Sequence, residues 1–416
     1  MSEQPSNPAT QQPSNPRLLS LDAFRGLTVA GMLLVNDPGT WNAIYPPLEH
    51  AEWHGWTPTD LVFPFFLFIV GITTYLSRKE PKAILRRGGL IVLFGLLLNA
   101  YPFFWWGKIA GNPDPTFLQR VAYRFEHLRF MGVLQRIGIV YAISALIARR
   151  VIRPRVILSP AEGEGPVASG AAVSATVPSP STRLRMTLVV IAAILVGYWA
   201  IMLLGPLEPP EATVAAMVDR AVLGTNHIWS STKTWDPEGP LSTIPAIATA
   251  LFGVLAGEWI ARKERPLIDR IAGLFGAGTV AMFAGSLWSW LFPINKNLWT
   301  SSYVVFTAGF ACVLLGTCMW LIDYLDVRKW AKPFVIYGTN PLVAFVGSGL
   351  MARTTDSLIK VMWTGERTSL HQATFALFFE PFFAPKFASL LWGLCFVALW
   401  LGILTLLYRK NIILRL

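Results

Sequence analysis

From Leu18 onward the chain alternates between apolar runs of about 20 residues and short polar connections. That is the length an α-helix needs to cross the hydrocarbon core of a bilayer. The runs fall near residues 18–36, 60–77, 84–102, 131–149, 186–205, 242–261, 270–292, 300–322, 333–351 and 389–408. The pattern predicts an all-α polytopic membrane protein with about ten transmembrane helices. Two stretches are irregular. Asn340-Pro341 breaks the ninth run, and "LHQATFALFFEPFFA" at 370–384 is too short to span and reads as a re-entrant or interfacial helix.

The polar connections orient this pattern. Arg78, Lys79, Lys82, Arg86 and Arg87 follow the second run. Arg149, Arg150, Arg153 and Arg155 follow the fourth, Arg183 and Arg185 precede the fifth, and Arg262, Lys263 and Arg265 follow the sixth. Arg328, Lys329 and Lys332 follow the eighth, and Arg409, Lys410 and Arg415 end the chain. If the runs alternate in direction, all of these lie on one side, and the positive-inside rule makes that side cytoplasmic, with both termini inside. All five histidines, His50, His54, His127, His227 and His371, then fall on the other side. Loops are where histidine belongs, but histidine is also the side chain that titrates near neutral pH.

The Pro-rich polar segment 1–16 reads as a disordered tail without the features of a signal peptide. Residues 17–150 form a first transmembrane half. Residues 151–185, with "SPAEGEGPVASGAAVSATVPSPS", are a low-complexity cytoplasmic linker, and 186–416 form a second half. Composition agrees: 53% of residues are hydrophobic and 14% charged, against about 25% charged in soluble domains. The net charge of +11 belongs to the helix flanks, and no basic stripe interleaved with aromatics points to nucleic acid. Cys312, Cys318 and Cys395 sit in apolar runs with neither metal-ligand spacing nor a disulfide framework.

Candidate chemistry concentrates where the second run begins, at "EHAEWHGWTPTDLVFPFF", Glu49–Phe66. Thr57 suits the N-cap, Pro58 the first helical turn, and Asp60 the third position, a capping-box-like start. Asp60 therefore reads first as a helix-start carboxylate. Gly55 supplies a turn, and Trp53 and Trp56 suit an aromatic belt. Capping leaves His50 unexplained. It is either a solvated loop residue or a general base at the mouth of a membrane cavity. Asp22 and Arg25 share a helix face, either as an interfacial ion pair or as part of a site. Asn36 ends the first helix, and its amide is also of a type that stabilises a developing oxyanion. Gln135 and Arg136 lie inside an apolar helix, which marks them as functional candidates. Asn295, Lys296 and Asn297 form a compact polar turn on the histidine side. The break at Asn340 is of the kind that lines cavities.

Taken in order, "SLDAFRGL", "LLVND", "HAEWHGWTPTDLVFPFFLFIVG", "GVLQRIG" and "PINKNLWTSSYV" resemble the heparan-alpha-glucosaminide N-acetyltransferase family, which includes bacterial transmembrane glucosamine N-acetyltransferases. The resemblance implies a catalytic role for His50, with Asn36 implicated beside it. It also implies acetyl-CoA as a cytoplasmic donor and a glucosamine amine as far-side acceptor, with no metal. Asp22, Arg25, Trp53, Asp60, Gln135, Arg136, Asn295, Lys296, Asn297 and Asn340 are then candidates for substrate or acetyl-CoA binding, and Glu52 is a candidate to orient His50. A different linker, and none of the extra luminal domain of the lysosomal enzyme, favour a free amino sugar or short fragment as acceptor. The implied setting is the bilayer of a bacterial inner membrane, with the His50 side periplasmic and a homodimer compatible. Two other readings stay open: an amino-sugar or muropeptide-fragment transporter, and an envelope polysaccharide O-acyltransferase suggested by "LDAFRG".

Overall fold

The computed structural model describes residues 18–77, 79–105, 107, 109, 111–152 and 179–414; the expected tail and most of the expected linker lie outside the described residues. The protein is mostly helical, as its apolar periodicity predicts. The helices are α1 (Leu19–Asn36), α2 (Pro58–Ser77), α3 (Pro81–Ala100), α4 (Phe117–Glu126), α5 (Val133–Ile152), α6 (Pro180–Met202), α7 (Val214–Leu223) and α8 (Pro240–Ile260). They continue with α9 (Leu267–Trp288), α10 (Ser301–Cys318), α11 (Lys332–Thr339), α12 (Pro341–Arg353), α13 (Leu370–Phe378) and α14 (Pro385–Arg409). Proline opens α2, α3, α8 and α14, where its missing N–H costs no hydrogen bond.

Among the described residues, eight helices are long and apolar enough to cross a membrane, and α11 with α12 makes nine if that pair, bent by 74°, is one span. The remaining segment of the expected ten is α5, equally long but carrying Arg136, Arg149 and Arg150. The break at Asn340-Pro341 is thus a sharp bend. The short stretch near 370 is the nine-residue α13, which follows a two-strand antiparallel hairpin (Lys360–Trp363 with Glu366–Ser369).

Helices α2 and α8 bury most of their residues, whereas α6, α9 and α14 bury less than a quarter of theirs and expose Leu, Val and Phe. An apolar outer ring of that extent is a surface for lipid rather than water. The inner helices cross closely because glycines meet there. A Cβ on Gly71 would lie 1.8 Å from the Ala250 carbonyl oxygen, and one on Gly253 would lie 2.0 Å from that of Phe68. Likewise Gly26 and Gly338 let α1 and α11 touch backbone to backbone. Small residues at helix seams are how membrane helices gain van der Waals contact without a hydrophobic driving force. Each seam joins a helix from before residue 153 to one from after residue 178.

Candidate active site

Helix α2 begins beneath a loop that folds back over its first turn. Asp60, 1% exposed, accepts the backbone N–H groups of Thr57 and Ala51 on Oδ2, each at 3.0 Å. The first bond is the helix-start role expected from "TPTD". The second fastens the loop segment that carries His50. Asp60 Oδ1 then meets His50 Nδ1 at 2.6 Å. One carboxylate therefore caps the helix and orients the histidine. The partner of His50 is Asp60, not Glu52, which lies exposed in the loop. Gly55 makes its turn with φ +100 and donates its N–H to the Ile294 carbonyl at 2.7 Å. That bond docks the histidine loop on the turn between α9 and α10.

The turn contributes Lys296, whose Nζ is 3.4 Å from His50 Nε2. An ammonium has donors only, so Nε2 accepts there and Nδ1–H donates to Asp60. This network assigns the tautomer, with the lone pair on Nε2. Burial pushes Lys296 below the usual lysine range, against the pull of Glu238 and Asp60. Asn295 is fully buried. Its side chain accepts from Leu298 N–H at 2.9 Å and contacts His54 Nδ1 at 3.3 Å, while His54 Nε2 reaches Glu208 at 3.1 Å. Trp53 donates to the Leu207 carbonyl at 3.0 Å and packs edge-on against Trp235 at 5.3 Å.

Behind Lys296 lies a buried polar network that the sequence did not reveal. Arg129 forms a two-pronged pair with Asp236, at 2.8 and 2.6 Å, and a further bond with Glu238. Burial opposes the charge of Glu238, yet Arg129 and Lys296 hold it below its ordinary range. Arg136, fully buried, donates to the Pro237 carbonyl at 2.8 Å and to Ser242 Oγ at 2.5 Å, and lies over the Trp299 ring at 4.9 Å. These bonds tie α5 to the start of α8. "WDPEGP" offered a weak signal, two acids before a helix-opening proline, but their arginine partners lie about a hundred residues earlier.

The other candidates take no part in the His50–Asp60–Lys296 contacts. Asn36 is exposed at the end of α1. It shares the His50 end of the bundle, because α1 and α2 run antiparallel, but no hydrogen bond joins it to the pair. Asn297 sits partly buried in the Lys296 turn. Gln135 is buried against Gly95. Asn340 spends its amide on the C-terminal segment, donating to the Ile412 carbonyl and accepting from Leu414 N–H, both at 2.9 Å. The other histidines serve local structure. His127 and His227 bond backbone carbonyls, and His371 pairs with Asp356 at 2.8 Å.

A well-formed cavity lies away from His50. It has a volume of about 360 Å³, opens at the opposite end of the bundle, and is walled by α1, α2, α3, α5 and the α11–α12 bend. Arg25, Lys79 and Arg87 line it together with apolar residues such as Phe66, Ile137 and Phe345. Arg25 also bonds Asp22 and the Gly338 carbonyl, at 3.0 and 3.1 Å, which fixes it on the cavity wall. The sequence had marked Lys79 and Arg87 only as orienting flanks. On α2 the innermost wall residue is Phe66, six residues from Asp60, or about 9 Å of helix rise.

Residues 17–159 match the family model described as heparan-alpha-glucosaminide N-acetyltransferase, catalytic. That segment holds Asn36, His50 and Asp60. Two relatives named heparan-alpha-glucosaminide N-acetyltransferase, from Mus musculus and Homo sapiens, are each 28% identical. The alignments cover 97% and 95% of this chain, and 61% and 59% of the relatives. The chain thus spans about three fifths of the length of these curated relatives. By its matched segment and by an alignment that runs nearly from end to end, this integral membrane protein is similar to the heparan-alpha-glucosaminide N-acetyltransferases.

Proposed function

We propose that the protein transfers acetyl from acetyl-CoA, bound from the cytoplasm, to the amine of a glucosamine-type sugar on the opposite, periplasmic face of a bacterial inner membrane. The observation that carries this reading is the His50–Asp60 pair, with Nε2 turned toward an open, cationic edge. The basic cavity adds the second part. Arg25, Lys79 and Arg87 suit the phosphates of the donor, and the apolar wall suits its pantetheine arm. About 9 Å of helix rise then separates that wall from Asp60, the partner of the histidine, a gap for the extended arm to bridge.

In the direct path, His50 Nε2 takes a proton from the acceptor amine as its nitrogen attacks the thioester carbonyl. The C–N bond forms, the C–S bond breaks, and CoA leaves as a thiolate. Asp60 keeps the imidazole in the proton-accepting tautomer and stabilises the imidazolium that results. In a double displacement, Nε2 attacks first and the acetyl-imidazole passes its acetyl to the amine. The resemblance adds Asn36, which is exposed at the same end of the bundle, as the second residue implicated in this chemistry.

The test is labelled acetyl transfer to glucosamine by protein in liposomes, comparing wild type with His50→Ala. Transfer by wild type and its loss in a folded His50→Ala protein is the expected result. Activity that survives the substitution removes His50 from the chemistry. Sugar binding without any acetyl-CoA consumption turns the reading toward transport.

A further inference from the structure

Lys296 occupies a position that neither a simple turn nor a structural ion pair explains. Its turn is fixed on every side. Asn295 N–H donates to Thr300 Oγ1 at 3.0 Å, Thr300 N–H donates to the Asn295 carbonyl at 3.1 Å, and Tyr198 donates its hydroxyl to the Leu298 carbonyl. Trp299 is fully buried with φ +53, and its indole N–H reaches Thr249 at 3.2 Å. A bulky residue in the left-handed region is strained, and such strain persists only where the surroundings over-determine it. The turn thus delivers one side chain, Lys296, to His50. Among the described residues no carboxylate lies within 4.0 Å of its ammonium. The cation is drawn by Glu238 and Asp60 without being neutralised in contact. It faces the one histidine nitrogen that the Asp60 bond leaves available.

Negative charge appears on the acyl oxygen when the amine attacks. The attacking nitrogen must lie within hydrogen-bond reach of Nε2, and the carbonyl carbon about 3–3.5 Å from that nitrogen. A lysine amine already 3.4 Å from Nε2, on a flexible four-carbon stem with three donors, reaches that oxygen by small rotations. Asn36, exposed and unbonded to the pair, is not so placed. We propose that Lys296 is a catalytic residue of the acetyl transfer, donating to the oxyanion of the tetrahedral intermediate. The proposal rests on the acetyltransferase reading above.

The experiment measures kcat and both KM values for purified Lys296→Met and Lys296→Arg in lipid nanodiscs, from pH 6 to 10, using acetyl-CoA and glucosamine. Loss of an oxyanion donor costs about 10²–10³ in kcat. Lys296→Met is expected to fall by that amount, with either KM changed less than threefold. Lys296→Arg is expected to regain at least tenfold over Met. The alkaline decline of wild type sets in below the ordinary lysine range, and in Lys296→Arg it moves to higher pH because guanidinium keeps its charge. Lys296→Cys on a Cys395→Ser background, treated with bromoethylamine, restores an ammonium in the already folded protein. Recovery of activity there supports the proposal even if the Met variant folds poorly. Unchanged kcat in Lys296→Met, or no recovery in both the Arg and the aminoethylated proteins, overturns it. Wild type that consumes no acetyl-CoA instead refutes the acetyltransferase reading itself.

Discussion

Replacing Asp60 with Asn changes one oxygen to nitrogen, and the surrounding bonds dictate which. Oδ2 accepts two backbone N–H groups at 3.0 Å, so the amide must place its oxygen there. Its NH2 then faces His50 Nδ1 across a 2.6 Å contact. Two donors cannot share that contact, so the imidazole shifts its proton to Nε2, and the base loses its lone pair at the reacting edge. The same exchange in a Ser-His-Asp triad costs about 10⁴ in kcat. Here the His50 side chain is 46% exposed and can partly reorient, which sets the expected loss at about 10²–10⁴, or roughly 3–5 kcal/mol of transition-state stabilisation. Folding should lose only about 1 kcal/mol, because the loop and cap bonds are kept. The assay is steady-state release of CoA thiol with varied acetyl-CoA and glucosamine, alongside a thermal melt. A kcat within threefold of wild type, with both KM values unchanged, would refute the argument that Asp60 sets the tautomer.

Two further outcomes probe the frame around the site. Gly71→Ala drives a methyl into the Ala250 carbonyl and is expected to destabilise by at least about 1–3 kcal/mol. Gly89→Ala, with nothing within 4 Å of the new Cβ, should be neutral or stabilising by up to about 1 kcal/mol. Equal melting temperatures for the two variants would dismiss the seam. Burial, and next the Asp356 carboxylate, raise Asp37 to about 7, while His371 and Arg353 pull it down. The folded state therefore holds this proton more tightly than the unfolded chain. The associated stability is present below the ordinary aspartate value of 3.8 and is lost as pH rises through about 7. The melting temperature of Asp37→Asn should thus gain on wild type more at pH 8 than at pH 5, and a gain that does not vary with pH counts against the account.

Much of the fold was readable because lipid imposes one rule, about 20 apolar residues per span, and α1, α2, α8 and α14 obey it. The bend at Asn340-Pro341 was readable from proline chemistry. His50 stood out because capping explained its neighbours and not itself. What escaped was pairing across the chain. Asp60 looked like a cap, and nothing local showed that its second oxygen would take the imidazole 10 residues back. Glu52 was nearer in sequence, but its loop geometry turns it to solvent. Arg129, Asp236 and Glu238 become one group only once α8 packs on α2 and α5. Lys79 and Arg87 carried an orientation signal that concealed their place on a cavity wall.

The ribosome makes Arg136 about a hundred residues before the Pro237 carbonyl and Ser242 hydroxyl that receive it. At about 5–20 residues per second that interval is roughly 5–20 s. Throughout it, α5 carries a guanidinium with no destination. Arg136 is in the first turn of α5, so its cost before pairing is less than the roughly 2.5–3.5 kcal/mol of an arginine at a helix centre, but it is still unfavourable. Biogenesis of this protein is therefore expected to be out of order. α5 waits near the interface or beside the insertion machinery, and reaches its final depth only when the start of α8 emerges.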